Sequence, residues 1–292
     1  FICSSLKFSK SKLNSNIIIN ELISTNPFNY LYPEIKQNKP LKELSYDKII
    51  HNYINSDDTG LCWELPMMMR QHGRMRIKAA AIKHSIPTLG FVVKEDDLEG
   101  AIDVEKAKSL GLSPGPLYRK LKEGLDVTLE DGTIIKSKDC VGPSTRGRKI
   151  TILGDTCDAS NMIPYAQHSD VLVHEATVED GMIEAKKRRH STPKMAGIFA
   201  SKIKAKRLVL THFSKRINHG SFRPFVMNCD WDSPGLPKLT SHHPVTGKSF
   251  KPHHDEATMS HVEKAVQAFK NRSVMAAQDF VFVPIPRGGF KK

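Results

Sequence analysis

Between residues 148 and 214 the chain repeats one pattern: a short apolar run, then a polar tip. "KITILGD" (149–155) ends in Asp155. "DVLVHEA" (170–176) ends in His174 and Glu175, and "RLVLTHF" (207–213) ends in His212. Runs of this length bounded by turn residues predict buried strands. Between them, "GMIEAKKRR" (181–189) and "STPKMAGIFASKIKA" (191–205) predict helices. Thr192 is placed to cap the second, Pro193 suits its first turn, and Met195, Ile198, Phe199 and Ile203 recur at helical spacing as core positions. Strands alternating with helices predict an α/β layered domain.

Upstream, strand-like segments lie near residues 75–83 and 89–93. "DVEKAKSLGLSPGPLYRKLK" (103–122) predicts two short helices around a Gly/Pro turn. "LDVTLEDGTIIKS" (125–137) predicts a hairpin turning at Asp131-Gly132. Residues 1–75 are broken up by Pro and Asn and form a first division of the chain, residues 76–292 the second. Within the second, residues 217–258 read as an inserted surface loop rich in Pro, Gly and His, whose paired His242-His243 and His253-His254 are better explained by surface exposure than by metal binding. A helix over 261–271 and the strand "DFVFVPIP" (279–286) close the domain.

Charge narrows the partners. Lys and Arg exceed Asp and Glu by 13 over 292 residues, which favours an anionic partner, nucleic acid before membrane. Residues 186–216 carry eleven Lys or Arg and no Asp or Glu; a solvated basic face is the plainer account of such a run. No apolar run approaches the roughly 20 residues of a membrane helix. Five scattered Cys without a CxxC pair predict reduced thiols in an intracellular protein, cytoplasmic or nuclear.

The polar tips carry the chemistry. A carboxylate at the end of a buried strand is costly to desolvate unless a cation offsets it. Asp155, His174 and His212 all follow apolar strands, and in an α/β layer such ends gather at one rim. Asp with His suits zinc or a similar borderline ion. Taken singly, each His is more simply a satisfied, partly buried ring, and Asp155 a local turn former. Three such tips within 58 residues, in basic surroundings, favour a metal site.

"ILGDT", "HEAT", "HST" and "AKRLVLTHFSKR", in this order and spacing, resemble tRNase Z, the 3′-tRNA-processing endoribonuclease of the metallo-β-lactamase superfamily. "KHSIPTLGF" and "LGLSPGPLYRKLKEGLDVTLEDGTII" resemble that family's His-containing strand and its Gly-Pro-containing flexible arm. The resemblance runs from about residue 17 to 286, the insertion excepted, and is to the short form. It implies an αββα sandwich, two Zn²⁺ per subunit, precursor tRNA as substrate and a homodimer. It further implies that His84 and His212 are metal ligands, that Asp155 bridges both ions, and that His190 contacts the scissile phosphate and serves the leaving group. Glu175 would orient His190, with His174 beside it in the catalytic stretch. Lys120 and Lys122 would lie on the arm (about 103–125) that grips the tRNA. The family's His-x-His-x-Asp-His motif, which supplies the remaining ligands and the general base, occurs nowhere in the 292 residues. The chain therefore reads as N-terminally truncated and inactive by itself. Two alternatives remain open: another phosphodiesterase or sulfatase of the same fold, and a non-catalytic RNA-binding relative.

Overall fold

In this computed structural model the described residues are 17–23, 49–66, 68–70, 73–214, 225–226, 256–271, 273–277, 283 and 285–287. Their strands are β1 (Ile17–Ile23), β2 (Ile49–Asn55), β3 (Cys62–Glu64), β4 (Met68–Arg70), β5 (Gly73–Ile82), β6 (Thr88–Glu95), β7 (Val127–Thr128), β8 (Ile134–Ile135), β9 (Lys149–Leu153), β10 (Val171–Glu175), β11 (Arg207–Thr211), β12 (Phe225–Val226) and β13 (Val274–Ala276). The α-helices are α1 (Val104–Ser109), α2 (Leu117–Lys122), α3 (Ser137–Cys140), α4 (Ile163–Ala166), α5 (Met182–Lys187), α6 (Pro193–Lys202) and α7 (Glu256–Phe269).

Nine strands form one mixed sheet in the order β12-β13-β11-β10-β9-β6-β5-β3, with β4 also on β5. Strands β9, β10, β11 and β13 are parallel, while β6 runs antiparallel to both β9 and β5. The ends of β5, β9, β10 and β11 consequently lie on one rim. Side-chain alternation divides the strands between two cores. Ala80, Ile82, Leu172, Leu208 and Leu210 join one core with Phe199 and Ala200 of α6 and Val262, Ala265 and Phe269 of α7. On the other face, Trp63, Ala79 and Ala81 pack with Leu22 of β1 and Ile54 of β2, and Val171, Val209 and Met275 form a further cluster. A helical layer thus covers one face and a parallel two-stranded sheet, β1–β2, lies against part of the other.

Helices α6 and α7 approach closely at one glycine. A Cβ on Gly197 would stand 2.4 Å from the Ala265 carbonyl oxygen. The close approach explains a residue that otherwise weakens a helix interior. The cap foreseen for α6 is present: the Met195 amide donates to Thr192 Oγ1 at 3.2 Å, and Pro193 is the first helical residue.

Residues 98–146, inserted between β6 and β9, build a small unit with its own core of Ala107, Leu112, Leu121, Val127, Ile135 and Cys140. Its two short helices and its hairpin at Asp131-Gly132 follow the sequence reading, with Gly132 at φ +83° in the turn. The unit extends past the 103–125 expected for an arm, because the hairpin and α3 complete its core. Strand β5 runs across residue 75, and β3 and β4 pair with it. The expected closing strand at 279–286 falls mostly outside the described residues; the strand pairing with β11 is Val274–Ala276. The 217–258 insertion and its paired histidines also lie outside them, except Phe225–Val226 and the start of α7.

Candidate metal and catalytic site

Three parallel strands deliver the tips to one place. Gly154 lets the chain leave β9 against β6, since a Cβ there would lie 2.8 Å from Thr88 Cγ2 and 3.2 Å from the Leu89 carbonyl oxygen. Asp155 follows directly. Glu175 ends β10, and His212 comes one residue after β11. His190 sits between α5 and α6, and His84 between β5 and β6. Arg189 and His212 hold left-handed backbone at φ +61° and +54°, an uncommon conformation for such residues that concentrates at functional sites.

One ligand atom from each of Asp155, His190 and His212 lies within 4.8 Å of the others. His212 Nε2 is 3.4 Å from Asp155 Oδ2, and the His190 and His212 rings stack with centroids 5.4 Å apart. His84 also meets His190, edge-on, at 4.8 Å between centroids.

Beneath these rings lies Glu175, 1% exposed. Its Oε1 accepts from the Thr156 amide at 2.7 Å and from His190 Nδ1 at 3.0 Å. Its Oε2 accepts from the Thr177 hydroxyl at 2.5 Å, the Ser191 amide at 3.0 Å and the Thr177 amide at 3.3 Å. The Ser191 hydroxyl also donates to the Thr156 carbonyl oxygen at 2.6 Å. Glu175 thereby joins the Gly-Asp-Thr, His-Glu-Ala-Thr and His-Ser-Thr segments. A buried carboxylate survives because this many donors replace its hydration.

Because their Nδ1 partners can only accept, Nε2 is the lone-pair nitrogen of neutral His84 and His190. His84 Nδ1 donates to the Arg189 carbonyl oxygen at 2.7 Å. His190 Nδ1 donates to Glu175, and His212 Nδ1 pairs with Thr177 Oγ1 at 2.7 Å. A histidine held through one nitrogen so that the other faces outward is the usual arrangement of a metal-binding ring. One carboxylate with two imidazoles fits a borderline ion such as Zn²⁺, with room for further ligands.

His174 is not brought to this cluster. Adjacent strand residues face opposite ways, so His174 turns to the helical side, against Phe199 at 5.7 Å, with Nδ1 donating to the Glu175 carbonyl oxygen at 2.8 Å. Burial pushes its pKa below the ordinary imidazole value. Lys120 and Lys122 are exposed on α2, in the separate 98–146 unit. Thr156, Thr177 and Ser191 lie within the "ILGDT", "HEAT" and "HST" stretches, but the sequence reading assigns them no role.

No family model matches the chain. It is 40% identical over 166 residues to zinc phosphodiesterase ELAC protein 1 of Homo sapiens, covering 56% of this chain and 44% of that protein. Ribonuclease Z of Bacillus cereus is 43% identical over 160 residues, covering 53% of this chain and 51% of that protein. Ribonuclease Z of Bacillus licheniformis is 45% identical over 141 residues, covering 48% and 46%. The matches thus span about half the length of these relatives. The crystal structure of human tRNase Z, short form, aligns over 74% of this chain and 57% of that one at 25% identity, with a TM-score of 0.42. Over about half its length, then, the chain is similar to ribonuclease Z and the zinc phosphodiesterase ELAC proteins, and its described residues form a mixed α/β fold.

Proposed function

We propose that the rim belongs to the active site of an enzyme that hydrolyses phosphodiesters of RNA, its substrate precursor tRNA, cleaved to remove the 3′ trailer, and that these 292 residues supply only part of that site. The observation carrying the proposal is the convergence of Asp155, His190 and His212 over the buried Glu175 carboxylate. The names of the relatives, ribonuclease Z and zinc phosphodiesterase, support RNA as the substrate class and zinc as the metal.

Asp155, His212 and His84 would hold zinc, with Asp155 shared between two ions. Bound there, Zn²⁺ would supply Lewis-acid polarisation of a phosphoryl oxygen. Glu175 holds His190 through Nδ1; with both ring nitrogens protonated, His190 would contact the scissile phosphate through Nε2–H and pass that proton to the departing 3′-oxygen of the tRNA, leaving the neutral ring. The products would be a tRNA with a 3′-hydroxyl and a trailer with a 5′-phosphate. Lys120 and Lys122 would contact tRNA phosphates away from the reacting centre, and the working form would be a homodimer. The His-x-His-x-Asp-His set is not present in these 292 residues, so the chain by itself should bind zinc weakly and show no robust cleavage. Incubation with a precursor tRNA bearing a 3′ trailer tests this: zinc-dependent cleavage would mean that the catalytic groups lie elsewhere.

One observation favours a second division of roles. His190, rather than His84, belongs to the compact three-residue cluster, which suits His190 as a ligand. Elemental analysis of His190→Ala and His84→Ala separates the readings: the variant that loses zinc has lost the ligand.

A further inference from the structure

Thr177 lies outside the Asp155–His190–His212 cluster, yet touches two of the groups that organise it. Its hydroxyl is 2.5 Å from Glu175 Oε2 and 2.7 Å from His212 Nδ1. A hydroxyl has one hydrogen to donate and lone pairs to accept with. The described partners of both Glu175 side-chain oxygens are donors: three backbone amides, the His190 ring and this hydroxyl. The Thr177 hydrogen therefore goes to Glu175. The Thr177 oxygen is left as an acceptor, and the hydrogen shared with His212 must come from Nδ1. Neutral His212 is consequently the Nδ1–H form, with its Nε2 lone pair on the side of Asp155, 3.4 Å away.

We infer that Thr177 is a positioning residue, relaying the Glu175 carboxylate to His212 and fixing that ring's tautomer. Glu175 orients His190 directly and His212 through Thr177, so one buried carboxylate sets two of the three rings at the rim. The chemistry served is coordination of a divalent borderline cation by His212 Nε2, and that part rests on the proposed metal site. Without the relay, His212 is about half exposed, and nothing else described at Nδ1 would hold it against the Nε2–H form that free imidazole favours in water. The bond also resists ring rotation, which the left-handed backbone at His212 does not by itself prevent.

Two measurements on the full 292-residue chain test the inference, with Thr177→Val, Thr177→Ala and Thr177→Ser beside the unaltered protein. Nitrogen-15 NMR of the metal-free chain, at a pH where imidazole is neutral, reads the His212 tautomer, the signal being assigned by its loss in His212→Gln. The Nδ1–H form is expected in the parent and in Thr177→Ser, which keeps the hydroxyl. A shift toward Nε2–H is expected in Thr177→Val and Thr177→Ala, the latter guarding against misfolding by the branched residue. Zinc titration should then show affinity about 10–100-fold weaker in the Val and Ala variants, the usual cost of removing a group that orients a ligand, with Ser near the parent. An unchanged His212 tautomer in both Val and Ala overturns the inference, whatever zinc does. A shifted tautomer with the same zinc affinity in all four proteins upholds the relay and removes His212 from the metal reading instead.

Discussion

The strand-end rim and the 98–146 unit both carry residues that the sequence marks as functional, and they differ in what holds them together. The rim is a polar network fastened to the main sheet: Glu175, Thr156, Thr177, Ser191 and three histidines, each fixed by a named hydrogen bond. The 98–146 unit is a small apolar core, with Leu121 fully buried and Ile135 nearly so. It carries eight Lys or Arg and eight Asp or Glu, so any attraction for RNA must come from local grouping. Arg119, Lys120 and Lys122 supply one such group on α2, although Arg119 is paired to Glu123 at 2.9 Å. The difference teaches that spacing and polarity mark a catalytic rim, whereas a recognition unit can fold legibly and leave its partner unwritten.

If the two regions are independent, each can be broken alone. Leu121→Ala should cost about 2–5 kcal/mol of the unit's stability, as a buried leucine usually does. Amide exchange within 98–146 should accelerate while zinc affinity at the rim stays the same; a fall in zinc affinity would show the regions coupled. Gly197→Ala attacks the packing behind the rim. The added methyl meets the Ala265 carbonyl oxygen, and overpacking of this kind costs about 1–3 kcal/mol, more than the gain of about 1 kcal/mol in helix propensity. Thermal denaturation should show a lower midpoint, and a higher one would refute the close crossing. Lys120→Ala with Lys122→Ala should leave folding intact and weaken tRNA binding. The logarithmic salt slope should become shallower by roughly 0.7–0.9 for each phosphate that is no longer neutralised; an unchanged slope would remove α2 from the RNA interface.

The smallest expected effect concerns His174. Burial lowers its pKa in the folded chain, so in mild acid the unfolded chain takes up a proton that the folded chain refuses. Its contribution is complete above the ordinary imidazole value and is lost progressively as pH falls from there through the lowered value of the folded chain. The melting temperature should therefore drop between pH 7.5 and pH 5.5, and drop less in His174→Gln. Equal drops would mean that His174 does not titrate on unfolding.

Much of the fold was legible because short parallel strands read as apolar runs. β9, β10 and β11 match them, although Ile152 of β9 is exposed, as do α6 with its Thr192 cap and the hairpin at Asp131-Gly132. The meeting of Asp155, His190 and His212 was only partly legible. Spacing put polar residues at strand ends, but it could not say which rings would touch. His174 illustrates the limit: it is adjacent in sequence to Glu175, yet alternation sends it to the opposite face. Thr177 illustrates the other: it lies within the "HEAT" stretch, yet its role shows only once Glu175 and His212 are located around it. β1 and β2 were illegible as a pair, since their parallel register joins residues 17–23 to 49–55 across a long separation.

Zinc titration of the 292-residue chain, followed through its histidine NMR signals, tests the metal site most directly. The account predicts that His190 and His212 respond together in the parent chain, that His174 does not, and that Asp155→Ala abolishes the response. A response that survives Asp155→Ala, or one centred on His174, would contradict it.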